Sequence, residues 1–374
     1  MKLLAILIVL FGYCYGETLL SKGTSDFSDC PCSNSDLCKP LDIGPRKEVV
    51  GFVTAKDNWK SYNYTYLTTL AIFGDLDPEL VCFAHEKKIR VVLAESFELK
   101  QLENFDYRDH WISAAIDKVK SSYLDGINID VEEASKGDTL FMVFLDEIST
   151  AFHREIPGCS VSADVAWSPK CIDGRCYDHL SMANYMDFLV VMAYDERSQI
   201  HGPCVASANS ALPTTATGIR EFIQLGIHPW KLVLGQPWYG YDYPCTHLDA
   251  DDTCHIREVP FRGINCSDAA GTQVSYYNIL KLMTSESAER KWDDTLKSPY
   301  FNYMDTNHTS HQVWYDDPES LGLKSSYAHL QGLRGMAFWN IDQLDYTGDS
   351  KEDDVNVPIW STLDHYFDDD YWYL

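Results

Sequence analysis

From residue 48 onward, short runs of β-branched and other apolar residues alternate with segments whose apolar residues recur every three or four positions. The first pattern is that of a buried strand, the second that of a helix with one buried stripe. Strands are expected at 48–55, 67–74, 89–96, 125–132, 161–168, 186–195, 230–240 and 332–342. Between them, a helix within 109–124 sets Ile112, Ala115, Ile116, Val119 and Tyr123 on one stripe, and another within 139–152 does the same with Phe141, Phe144, Leu145, Ile148 and Phe152. A third, at 215–226, is closed by Gly226.

Strand and helix in regular alternation imply a parallel sheet in an α/β fold. Eight strands suit a (β/α)8 TIM barrel better than a doubly wound sheet, and a chain of 374 residues is within the size of a barrel with insertions. The barrel domain is expected over 47–374, with an insertion between strands seven and eight at about 241–330 and a Cys-rich segment over 17–46 ahead of it. Residues 1–16 carry one Lys, a short apolar run and a small-residue end, the order of a secretory signal peptide, and the run is too short for the roughly 20 residues of a spanning helix.

Residues 124–134, LDGINIDVEEA, break the expected strand chemistry. Side chains alternate along a strand, so Asn128, Asp130 and Glu132 share one face while Ile127, Ile129 and Val131 share the other. The apolar set belongs under the helices, which turns the polar set toward the barrel interior, where branched apolar layers are the rule. Burying carboxylates there without partners opposes folding by several kcal/mol, so the column is expected to serve chemistry. Glu132 lies at the carboxyl end of its strand, where barrel enzymes keep their reacting groups, and is the expected general acid. Asp130, two residues away on the same face, is expected to resist its ionisation and keep a proton available. Glu133 faces the other way. A calcium loop is excluded, because the turn glycine and distal Glu are missing and the interleaved Ile and Val favour a strand.

The formal charge is −26, from 30 basic and 56 acidic residues, which argues against a nucleic-acid partner. Much of the excess is local, in 348–356 and in the tail from 364, and is expected to be solvated. Eleven of the twelve cysteines lie beyond the signal, and none has the paired CxxC spacing of a zinc site; they are read as disulfides, with at least one thiol left over. Sequons at Asn63, Asn265 and Asn307 agree with export.

The segment from Leu124 to Glu132 resembles the signature of family 18 glycoside hydrolases, which include the chitinases. MAYD (192–195), GQPWYG (235–240) and MAFWNID (336–342) resemble that family's sixth, seventh and eighth strand ends, in order. AFHREI (151–156), DVAWSPK (164–170), PWYGYDY (237–243) and PFRGINCSDAAG (260–271) narrow the resemblance to a member that splits the GlcNAcβ1-4GlcNAc core of Asn-linked glycans from the reducing end. The resemblance implies substrate-assisted, retaining hydrolysis, an exception to the two-carboxylate scheme. Glu132 would protonate the glycosidic oxygen and the substrate's 2-acetamido oxygen would attack the anomeric carbon. Asp130 would accept the acetamido N–H, and Tyr194 would donate to its carbonyl oxygen. Trp339 would form the floor, with Asp195, Trp238 and Tyr239 as wall residues. It implies a GlcNAc-containing oligosaccharide as partner, no cofactor, no metal, no membrane insertion, a monomer, and a lysosomal or, alternatively, secreted location.

Two departures stand out. Many chitinases have Asp where this chain has Asn128, which is expected to donate a hydrogen bond to ionised Asp130. The third strand ends LAES in place of the common double glycine. An endo-acting chitinase and an inactive chitinase-like lectin are the competing readings. Every cysteine lies before residue 267, so no Cys-rich chitin-binding module follows the barrel, and Glu132, usually lost in such lectins, is present.

Overall fold

A computed structural model describes residues 35–135, 139–196, 201–346 and 356–367. The proposed signal peptide, Cys30, Cys32 and the acidic stretches at 347–355 and 368–374 lie outside the described residues.

Eight parallel strands close into a barrel: β1 (Glu48–Val53), β2 (Thr69–Ile72), β3 (Arg90–Glu95), β4 (Gly126–Ile129), β5 (Ser160–Ala166), β6 (Phe188–Met192), β7 (Leu232–Pro237) and β15 (Gly335–Trp339). All eight expected strands form, seven of them within their expected runs and β5 starting one residue ahead of its run, at Ser160. Helices α1 (Pro78–Glu86), α2 (Phe105–Ser121), α3 (Thr139–Glu155), α4 (His179–Tyr185), α5 (Leu212–Gln224) and α7 (Pro318–Leu330) connect them. α8 (Val357–Ser361) and α9 (Asp364–Phe367) pack on α7.

Alternation along the strands divides the core into two shells. Ile127, Ile129, Val131, Val161, Ala163, Leu232, Leu234, Met336 and Phe338 join the helix stripes in the outer shell. Val50, Phe52, Val92, Ala94, Val190, Val233 and Ala337 fill the interior. Burying an aliphatic side chain of this kind is worth about 1.5–3 kcal/mol, so the shells, together with the parallel ladder, fix which face of each strand looks inward.

Register then sets the inner layers. Asn128 lies opposite Ala94 of β3 and Ser162 of β5, and Asp164 lies opposite Val190 of β6. Gly126 lets β4 start against β5: its φ is +147°, and a Cβ there would stand 1.9 Å from the Ser160 carbonyl oxygen.

After β7 the chain leaves the barrel at once. β8 (Tyr239–Pro244) opens an antiparallel sheet ordered β11-β8-β14-β13-β12, from β11 (Thr272–Ser275), β12 (Lys291–Asp293), β13 (Ser298–Met304) and β14 (Ser310–Trp314), with α6 (Tyr276–Ser285) beside it. A two-stranded piece, β9 (His247–Leu248) with β10 (Cys254–His255), lies in the same stretch. The Cys245–Cys254 disulfide braces it, and Cys204–Cys266 ties the stretch to the loop after β6. Cys171–Cys176 closes a tight loop after β5, Cys38 and Cys82 are also disulfide-bonded, and Cys159 is the free thiol among the described residues.

Candidate active site

The carboxyl ends of β4, β5, β6 and β15 meet around a cavity of about 130 Å³ lined by Asp130, Glu132, Asp164, Arg175, Met192, Tyr194, Asp195 and Trp339. β4 stops pairing at Ile129, yet the alternation persists: Val131 stays in the outer shell while Asp130 and Glu132 reach the cavity. The inward column expected for Asn128, Asp130 and Glu132 is thus in place.

Asn128 corrects one expectation. Its amide donates to Asp164 Oδ1 at 2.8 Å and to Ser162 Oγ at 3.1 Å, across to β5, and not to Asp130. The reason is register, since Asn128 pairs with Ser162 and Asp164 follows on the same face. Asp130 Oδ1 and Asn128 Oδ1 are left buried without protein partners. An acceptor in that state suits a ligand donor, because an unmet buried polar atom costs about 1–3 kcal/mol.

The like-charge effect expected between Asp130 and Glu132 falls on the inner groups. Burial, reinforced by the Glu132 charge and partly offset by Arg175, pushes Asp130 up to about 7. Full burial and the Asp130 charge hold the Asp164 carboxyl well above the carboxylate range, against the opposing bond from Asn128. Glu132 is half exposed and forms an ion pair with Arg175 Nη1 at 3.1 Å. Glu133 turns away and accepts the Leu99 N–H.

Tyr194 is buried beside this cluster, and burial among the surrounding carboxylates keeps its phenol protonated, a donor aimed into the cavity. Asp195 follows with a left-handed backbone (φ +53°), held by its N–H on Asn209 Oδ1 at 2.8 Å. The hydroxyls of Tyr239 and Tyr241 donate to Asp195 Oδ1 at 2.7 and 2.9 Å, and these bonds oppose the upward push of burial on its carboxyl. Trp339 is set edge-on against Phe52 and Phe73, at 5.5 and 5.3 Å between ring centroids, and lines the cavity.

Two expected wall residues stand elsewhere. Trp238 is buried in the outer shell, stacked on Phe338 at 4.5 Å and edge-on to Trp360 at 4.8 Å. Strand parity explains it: Leu232 and Leu234 face the helices, and Trp238 shares their parity. Tyr239 is 2 % exposed and works from behind Asp195, not as a wall. Asn265 and Asn307 are exposed and Asn63 half-buried, all away from the cavity.

Sequence reading missed Asp164, Arg175 and Met192 as cavity residues. The signal for Asp164 was present, since Ser160, Ser162 and Asp164 alternate with Val161, Ala163 and Val165 as the polar column of β4 alternates with its apolar one. Arg175 sits in a loop, where no periodicity points to it.

A family model for glycosyl hydrolases family 18 matches residues 79–343. The chain belongs to glycosyl hydrolase family 18. Within the family it is 45% identical to di-N-acetylchitobiase of Mus musculus over 339 residues, 90% of this chain and 93% of that protein. It is also 45% identical to di-N-acetylchitobiase of Homo sapiens over 341 residues, 90% of this chain and 88% of that protein. The barrel superposes on the C-terminal domain of a putative chitinase from Desulfitobacterium hafniense with a TM-score of 0.68 at 18% identity, covering 86% of this chain and 99% of that one. A Group IV chitinase from Ostrinia furnacalis, solved with allosamidin, gives 0.68 at 20% identity, covering 86% and 98%. These two establish the family 18 barrel fold and no more. Among the described residues, no helix is long and apolar enough to cross a membrane.

Proposed function

We propose that this family 18 hydrolase cleaves the GlcNAcβ1-4GlcNAc unit at the reducing end of released Asn-linked glycans. The observation that carries the proposal is the carboxyl cluster at the end of β4, half-exposed Glu132 above Asp130 with its buried Oδ1, in a chain 45% identical over nine-tenths of its length to di-N-acetylchitobiases.

In this reading, Glu132 stands at the cavity mouth and hands its proton to the glycosidic oxygen as the C–O bond breaks. The 2-acetamido oxygen of the sugar above Trp339 forms the new bond to the anomeric carbon. Asp130, with Oδ1 free of protein partners, takes the acetamido N–H, and Tyr194 donates to the acetamido oxygen. The two interactions hold the nucleophile in line and stabilise the positive charge that develops as the ring closes. Asp164, bonded to Asn128, lies beneath Asp130, so the inner carboxyls share protons as a coupled set. Glu132 then takes a proton from water as it opens the ring intermediate, which restores the original anomeric configuration.

We further read residues 1–16 as a signal peptide, the three sequons as glycosylation sites, the lysosome as the destination and the monomer as the working unit. The acidic excess supports an acidic compartment, because protonating part of it relieves self-repulsion. The deciding assay compares hydrolysis of a chitobiose-terminated glycan with a free reducing end, the same glycan with that end blocked, and polymeric chitin. Release of GlcNAc from the first alone is expected. Equal cleavage of chitin would replace the reading with an endo-acting chitinase, and binding without cleavage with a lectin.

A further inference from the structure

Arg175 is 2 % exposed, yet it lies among four carboxylates at the mouth of a catalytic cavity. Its mount is a closed loop. Cys171 and Cys176 are joined, and between them Cys171, Asp173 and Gly174 all take left-handed backbone conformations. The loop is stitched to the tail of β4: Ser135 N–H donates to the Gly174 carbonyl and Cys176 N–H to the Ser135 carbonyl, both at 2.9 Å. Tyr177, the next residue, donates its hydroxyl to the carbonyls of Val131 and Glu133. From the inserted stretch, Arg262 reaches the Glu132 carbonyl at 3.2 Å and Asp173 Oδ2 at 2.9 Å. Both the backbone and the carboxylate of Glu132 are therefore held by groups on this loop or bound to it.

We propose that Arg175 is a positioning residue of the hydrolysis: from the Cys171–Cys176 loop its guanidinium holds the Glu132 carboxylate that proton transfer leaves behind. The proposal rests on the reading of Glu132 as general acid. When the C–O bond breaks, its electron pair and the Glu132 proton go to the leaving oxygen, and a carboxylate is left behind. That carboxylate faces the carboxyls of Asp130 on β4, Asp164 on β5 and Asp195 after β6, each of which its charge pushes up, and the phenols of Tyr177 after the loop and Tyr194 after β6, which its charge helps keep protonated. Among the described residues of the cavity, Arg175 is the one cation that offsets them, 3.1 Å from Glu132 Oε2. Its Nε–H is buried without a protein partner, a donor left for a substrate oxygen beside the same carboxylate.

Removing the cation makes the proton harder to give up. In Arg175→Gln and in Arg175→Met, which keeps the packed stem, the basic limb of the kcat/KM profile should move to higher pH by about one unit, the low end of what an opposite charge at this distance does. Arg175→Lys should bring the limb back toward the wild-type position while kcat stays lowered, since a point charge lacks the guanidinium fork. A readout without turnover is the pH titration of the Glu132 side-chain carboxyl by 13C NMR, assigned through Glu132→Gln, in wild type and the two neutral variants. A Glu132 carboxyl that titrates at the same pH in all three overturns the proposal whatever the substrate proves to be. Failure of the wild type to release GlcNAc would overturn the functional reading and leave the titration to judge Arg175. A limb moved equally in the Lys and neutral variants would reduce Arg175 to a packing residue.

Discussion

Asp130→Asn should inactivate the enzyme and stabilise it, and the stabilisation should appear only as the pH rises. In the folded chain burial and the Glu132 charge push the Asp130 carboxyl up to about 7, against 3.8 in the unfolded chain. Below about pH 4 both states hold the proton and the residue has no pH-linked effect. Between the two values the folded state binds more protons than the unfolded one, so stability falls as the pH rises, and the cost levels off above about pH 7. The gap between about 7 and 3.8 at 1.36 kcal/mol per pH unit corresponds to roughly 4 kcal/mol. Contact with cavity water, and protons shared with Asp164, lower the realised gain to about half, or ~2 kcal/mol. For a chain of 374 residues that is a rise of ~2–3 °C in melting temperature. The assay is a pair of melts, wild type and Asp130→Asn, at pH 4 and pH 7.5, with GlcNAc release measured in parallel. A gain at pH 7.5 that vanishes at pH 4, with turnover lost, is the expected result. Equal melting temperatures at pH 7.5, or a gain of the same size at both pH values, would refute the claim that Asp130 is a strained carboxyl kept for chemistry.

Glu132→Gln should lower kcat by roughly 10²–10⁴-fold or more while leaving sugar binding and melting close to wild type, because the half-exposed side chain contributes little packing; substantial turnover would remove it as the acid. Asn128→Leu should cost about 1–3 kcal/mol and most of the activity, since it strips Asp164 of the amide donor at 2.8 Å inside the barrel; an unchanged denaturation midpoint would show that Asp164 finds another partner. His85 is held by Asp125 Oδ2 at 2.9 Å and the Leu37 carbonyl at 2.8 Å, and although burial opposes the charged ring, the Asp125 bond and charge outweigh it and raise the imidazole above 6.5. That pair's contribution is full below pH 6.5 and fades as the pH passes the raised value, so His85→Ala should cost about 3–5 kcal/mol in acid and less above it, as denaturant melts at pH 5 and pH 9 would record.

The two raised groups act in the same direction. Asp130 weakens the fold as it ionises and His85 weakens it as it loses its proton, so both favour the folded chain in mild acid. The same pH range keeps protons available to the carboxyl cluster.

Local chemistry determined much of this protein. Alternating strand and helix patterns specify the parallel barrel, because each apolar run must be buried and each stripe must cover one. Period-two alternation in residues 127–132 suffices to turn Asn128, Asp130 and Glu132 inward, since sending Ile127, Ile129 and Val131 inward instead would leave carboxylates among the helices. The same rule, applied to β5 and β7, marks Asp164 as inward and Trp238 as outward, so both were legible from parity even though the residue types alone point elsewhere. What parity cannot supply is the company each group keeps across the barrel. Asn128 bonds Asp164 and not its own neighbour Asp130, because the stagger between β4 and β5 decides which side chains share a layer. Arg175 meets Glu132 through a disulfide-closed loop and an arginine from the inserted stretch, contacts separated by 43 and 130 residues. Such contacts have no sequence period: they exist only once barrel closure has brought the strand ends within a few ångströms of one another, and those distances are what push the Asp130 and Asp164 carboxyls up.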